Sequence, residues 1–295
     1  MEQKNALNTS PRPTTPVAPK AADAEKSSGG ASLFSVIVIV LAFVVAYIIF
    51  KFVLGNGSNF QGGDHANAPL PGNMLGTVYS GGNIVPILIT MFLCVITFSV
   101  ERLLTISRAK GTKSIEGFVR TVRQKLNSND INGAIVACDQ QKGSVANVVK
   151  AGLLKYKEMV TERGMNNDQK VLAIQKEIEE TTALELPMLE KNLVIISTIA
   201  SVATLTGLLG TVFGMISAFS ALAQAGSPDA VKLASGISEA LINTAFGIGT
   251  SALAIIAYNY FTSKIDELTY SIDEAGFSIV QTFGQHTSTQ QPANV

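Results

Sequence analysis

The chain has 295 residues, 47% hydrophobic and 15% charged, with 22 Lys+Arg balancing 22 Asp+Glu. Soluble domains carry about 25% charge. Together with a mean hydropathy of +0.31, this points to a membrane protein with some soluble mass and excludes nucleic-acid binding driven by net positive charge. Cys94 lies in an apolar run and Cys138 in polar sequence, while His65 and His286 are far apart. These four residues offer no disulfide framework, no metal cluster and no histidine-based site. With no nucleophile–base pair or phosphate loop, neither an enzyme nor a cofactor is expected.

Residues 1–32 are rich in Pro, Ala, Thr, Ser and Lys and read as a disordered tail. Residues 33–54 are long and apolar enough for a transmembrane helix and too long for a signal-peptide core. Residues 55–82 are rich in Gly, Asn, Ser and Pro, lack Lys and Arg, and read as a flexible periplasmic loop. A second span covers 83–107 and ends in Glu101-Arg102, read as a topology anchor or an intersubunit ion pair. Residues 108–192 are polar with helical periodicity: Val171, Ile174 and Ile178 step by three and four, as do Leu186, Leu189 and Leu193. The third span, 193–222, is expected to continue this helix without a break from Asp168, over roughly 80 Å at about 1.5 Å per residue, with a bend at Pro187. A turn at 223–232 leads to the fourth span, 233–261. This continues as a helix into a tail, 262–295.

Lys and Arg are plentiful in the N-terminal tail and in 108–192, and absent from 55–82. Four spans with both termini and the large domain in the cytoplasm satisfy the charge rule throughout. The fold expected is all-α: long transmembrane helices running into a cytoplasmic helical bundle, oligomeric around a central pore.

The third and fourth spans form an antiparallel hairpin joined by a short turn. Thr211 and Thr244 lie at the same count from its outer end and meet near the bilayer middle. Ser197, Ser201, Thr204 and Thr211 keep to one helical face, as do Ser235, Glu239, Asn243 and Thr250. Such faces need a partner or a water-filled path, because lipid cannot satisfy them. Ser201, Thr204 and Asn243 are therefore assigned to the pore lining. Gly207, Gly210, Gly214 and Gly247 are assigned to close helix packing. Glu239 is the one carboxylate well inside the four spans, and no His or Lys accompanies it at mid-depth in the last three. A proton relay needs a group that changes protonation. Either Glu239 serves alone, or another protein supplies that group and this chain supplies the hydrophilic lining.

Residues Ile199–Phe219, with Gly207-Leu-Leu-Gly-Thr-Val-Phe-Gly214, and Gly236-Ile-Ser-Glu-Ala-Leu-Ile-Asn-Thr-Ala-Phe-Gly-Ile248 resemble the ExbB/TolQ/MotA proton-channel family. Glu185-Leu-Pro-Met-Leu-Glu190 resembles the family's lead-in to this helix. The resemblance is closest to ExbB. It implies an inner-membrane homopentamer enclosing the single-span helix of an ExbD-like partner whose aspartate carries the proton. A TonB-like protein would pass the movement to outer-membrane transporters. By motif, Thr211, Thr244 and Glu239 fall on the family's proton pathway. TolQ-like envelope maintenance, MotA-like motility and a non-conducting scaffold are the alternatives. Thr204 stands where family members often have proline, and the span at 33–54 lies outside the usual three-span pattern.

Overall fold

In the computed structural model, the described residues are 25–65, 67–224 and 230–289. The N-terminal tail up to residue 24, residues 225–229 of the 223–232 turn and the last six residues of the C-terminal tail lie outside them. The elements are α1 (Glu25–Ile48), α2 (Met74–Tyr79), α3 (Val85–Lys110), α4 (Ile115–Asn127), α5 (Ile131–Gln141), α6 (Gly143–Thr161), α7 (Asn167–Glu190), α8 (Leu193–Gln224) and α9 (Ala230–Thr289). Among the described residues the only β-structure is an isolated bridge between Phe60 and Pro69. Four helical stretches are long and apolar enough to cross a membrane: 33–54, within 82–127, 193–223, and within 230–286.

Contacts divide the chain into residues 1–38 and 39–295. The described part of the first unit is helical, with Leu33, Phe34, Val36 and Ile37 exposed. In the second, α1 ends in a π-helical turn, Ile49–Leu54. Ala46, Phe50 and Leu54 pack there on Val85 and Ile89 of α3. The stretch expected as a flexible loop instead folds into short turns held by asparagines. Asn59 donates to the carbonyls of Val53 (2.8 Å) and Leu54 (3.0 Å) and accepts from Asn73 (3.1 Å). Asn73 caps α2 through the N–H groups of Leu75 and Gly76. Tyr79 stacks on Phe50 at 4.6 Å and meets Phe60 edge-on at 5.4 Å. A composition that signals turns thus also supplies the caps that order them.

The continuous helix expected from Asp168 breaks at Lys191-Asn192. Pro187 has no N–H, which weakens the last turns of α7. Lys191 N–H closes on Pro187 O at 3.1 Å, and Asn192 takes φ 65°, a left-handed conformation that asparagine tolerates. Arg102, almost fully buried, donates to the freed carbonyls of Met188 (3.3 Å) and Leu189 (3.0 Å). Its other face is paired with Glu101, which also accepts from Asn192 and Thr105. The Glu101-Arg102 pair is therefore satisfied within one chain. It clasps the end of α3 to the α7–α8 corner.

Below this corner, α4, α6 and α7 pack around the second half of α9, and α5 packs on α4 and α6. Phe118, Val122, Val149, Leu153, Ile174, Ile272 and Ile279 form its core, and Tyr156 meets Phe283 edge-on at 4.9 Å. Arg123 of α4 ties to Glu274 of α9 at 2.8 Å. Burial, with a smaller push from Asp139, raises the Cys138 thiol to about 12.

Two outcomes follow. Cys138 stays a thiol at neutral pH, and only the thiolate reacts. Maleimide at pH 7.5 should therefore leave it unlabelled in the folded chain and label it after denaturation; prompt labelling of the native chain would contradict the packed bundle. Arg102→Ala strands Glu101 and the carbonyls of Met188 and Leu189. It should cost about 3 kcal/mol, visible as loss of assembled protein on thermal extraction, whereas Lys191→Ala should cost little.

Candidate functional site

The α8–α9 hairpin is held by backbone proximity. A Cβ at Gly214 would sit 2.7 Å from Gly236 O and 2.8 Å from Ala240 N. One at Gly247 would sit 2.6 Å from Ala203 O, and one at Gly207 would sit 2.9 Å from Asn243 O. These neighbours are main chain and cannot swing away, so only glycine fits. The close pairs set an antiparallel register: 203 and 207 meet 247, 214 meets 240, and 218 meets 236. Ser251 reinforces it by donating its hydroxyl to Ala200 O.

At the centre, Thr244 donates to Gly207 O at 3.3 Å. The α-helical pattern points that same carbonyl at the N–H of residue 211. Thr211 and Thr244 are thus linked through one peptide unit, within about a turn of the same level. Thr211 is half-buried, returns its hydroxyl to Leu208 O at 2.5 Å, and borders an open groove with Val212, Met215 and Phe219. Thr204 is half-buried and Ser201 exposed on the same side of α8. Together these four hydroxyl side chains form one edge of the hairpin.

The α9 polar stripe turns elsewhere. Asn243 is fully buried, and its Nδ2 donates to Gly81 O at 2.8 Å, just before α3. It also fills the space in front of Gly210, where a Cβ would meet its amide. Glu239 is half-buried with its carboxylate against Gly82, whose φ of +73° and missing side chain permit the approach. Thr250 is buried, and its hydroxyl has no partner. The structure places Thr211 and Thr244 within about a turn of one level, each bonded to an α8 carbonyl, while Glu239 and Asn243 face the turn into the second span. That turn, Gly81-Gly82, was not singled out in the sequence. Its signal is a glycine pair directly before an apolar run.

The resemblance read in the sequence is borne out. Residues 140–274 match the MotA/TolQ/ExbB proton channel family. The Tol-Pal system protein TolQ of Pseudomonas aeruginosa is 30% identical over 124 residues, 42% of this chain and 54% of that protein. TolQ of Haemophilus influenzae is 37% identical over 108 residues, 37% of this chain and 42% of that one. The biopolymer transport protein ExbB of Salmonella typhimurium is 24% identical over 180 residues, 57% of this chain and 72% of that protein. The chain thus spans about half the length of the TolQ relatives it matches. The matched family is one of proton channels, and the four long apolar helical stretches suit a multi-pass membrane protein.

The hairpin geometry yields a paired outcome. Gly247→Ala forces a methyl into Ala203 O and Gly207, and overpacking of this kind costs roughly 1–3 kcal/mol. Gly249, two residues on, has nothing within 4 Å of its Cβ position. In a thermal-shift assay of the detergent-extracted chain, Gly247→Ala should melt several degrees lower and Gly249→Ala should not. Equal melting would contradict the close backbone approach.

Proposed function

We propose that this chain, with the sequence of the MotA/TolQ/ExbB proton channel family over residues 140–274, is the channel-lining subunit of an ion-driven inner-membrane motor resembling ExbB. It acts with an ExbD-like single-span partner and a TonB-like protein to energise outer-membrane transport. It does so as a homopentamer, with the 108–192 bundle in the cytoplasm. The observation that supports this reading is the pair of mid-span threonines bonded to neighbouring carbonyls of α8, Thr244 to Gly207 O and Thr211 to Leu208 O.

A threonine hydroxyl accepts one hydrogen bond and donates another, so it can relay a proton. It cannot store one, because it does not titrate near neutral pH. The spans carry no carboxylate at the level of the two threonines, so the storing group at that depth comes from the partner helix. The hydroxyl edge of Ser201, Thr204, Thr211 and Thr244 gives that helix a polar face to meet. Each charge carried across provides about 2.3 kcal/mol per 100 mV of membrane potential. Glu239 lies toward the end where α8 and α9 join and serves as a proton-carrying group at that side.

A TolQ-like role in envelope maintenance is the second reading, favoured by the two Tol-Pal relatives at 30% and 37% identity. It shares the same path and differs only in the protein that receives the movement.

Thr211→Val and Thr244→Val keep the volume and remove the hydroxyl. Both variants should assemble with the partner, and proton flux in proteoliposomes should fall about tenfold or more for each, the scale of one lost hydrogen bond along the path. Wild-type flux in both variants would remove the lining role.

A further inference from the structure

Asn243 carries the most constrained polar group of the spans. Its side chain is fully buried. Its Nδ2 is committed to Gly81 O at 2.8 Å, which settles which end of the amide is the donor. The Oδ1 is buried without a hydrogen-bond partner. An unmatched carbonyl in that setting is costly, so a donor should meet it.

The geometry identifies the donor. A Cβ on Gly81 would lie 3.2 Å from Asn243 Oδ1, and a Cβ on Gly82 would lie 3.2 Å from Glu239 Cδ. Consecutive Cα atoms are about 3.8 Å apart. Glu239 and Asn243 are four residues apart and share a helical face. The carboxyl group and the amide oxygen therefore flank a single Gly–Gly step. An ionised carboxylate only accepts, and beside another acceptor it gains nothing. A protonated carboxyl has one O–H to give.

We propose that Asn243 Oδ1 receives the hydrogen bond of the protonated Glu239 carboxyl. Glu239 and Asn243 then form a proton-holding site, with Asn243 as the positioning residue and the Gly81–Gly82 turn as its wall. This rests on reading Glu239 as a proton-carrying group and goes further by naming the group that receives its proton's hydrogen bond. On losing the proton, Glu239 loses its bond to Asn243, the residue that holds the entrance to α3. Occupancy is thereby tied to the Gly81–Gly82 turn that leads into α3. The ionisable groups on the surrounding elements are Lys51, Tyr79, and the Asp64–His65 pair at 3.8 Å ahead of α3, and Lys232 on α9 itself. α8 has none, and α3 has only the buried Cys94 thiol before Glu101.

The test is labelling of Glu239 by dicyclohexylcarbodiimide, which attacks the protonated carboxyl. It is run across pH on the full chain in membranes with its partner and read by mass spectrometry of the peptide. Wild type should label with a pH midpoint, and Asn243→Ala should move that midpoint about one unit lower, the amount one hydrogen bond supplies. An unmoved midpoint in assembled Asn243→Ala overturns the inference and leaves Glu239 as a proton carrier. Absence of pH-dependent labelling in wild type overturns both. If Asn243→Ala does not assemble, Glu239→Gln decides, because its amide donates to Oδ1 at every pH. The melting temperature of the wild-type assembly should then fall as pH rises through the titration of Glu239, while that of Glu239→Gln should not. Parallel curves overturn the inference.

Discussion

The rest of the structure depends on how closely α8 and α9 approach. In hydrocarbon, apolar side chains gain nothing by leaving lipid for each other, so helices associate through packing and hydrogen bonds. Gly207, Gly214, Gly236 and Gly247 let two main chains touch. That contact fixes the register, and the register decides which polar groups meet. Thr244 reaches a carbonyl of α8 only because Gly207 has no side chain in the way. The same closeness leaves α9 free to turn Glu239 and Asn243 toward α3. One hairpin thereby presents two chemically different edges, one of hydroxyls and one of a carboxyl with an amide.

Much of this was legible in the sequence because the rules involved are local. Run length and the near-absence of charge located four spans, and the periods of three and four residues gave helices in the polar part. The glycine positions announced close packing. Counting from the ends of the hairpin brought Thr211 and Thr244 near one level, to within about a turn of the register the close pairs define. What escaped was non-local. The break at Asn192 depends on Pro187 nearby and on Arg102, some ninety residues away in sequence; a search for glycine alone passes over an asparagine at φ 65°. The order within 55–82 depends on Asn59 and Asn73 finding carbonyls and N–H groups that only the folded chain presents. The two polar stripes look equivalent on helical wheels, yet α9 has neighbours on two sides and must divide its polar groups between them.

The additional N-terminal span gains a physical context from this. It packs on α3 through Phe50 and Leu54. The segment after it is stiffened by the Phe50–Tyr79–Phe60 cluster and ends in the glycine pair that Asn243 and Glu239 contact. An element outside the matched region 140–274 is therefore mechanically joined to the one intramembrane carboxylate.

The central claim is that the hairpin supplies a proton-conducting lining without the titrating group at its middle. The direct measurement is proton flux into proteoliposomes under an imposed membrane potential, with the chain alone and with a single-span, carboxylate-bearing partner. The expected result is no flux above background for the chain alone, flux when the partner is present, and its loss when the partner's carboxylate is replaced by an amide. Equal flux from the chain alone, or flux that survives loss of that carboxylate, would contradict it.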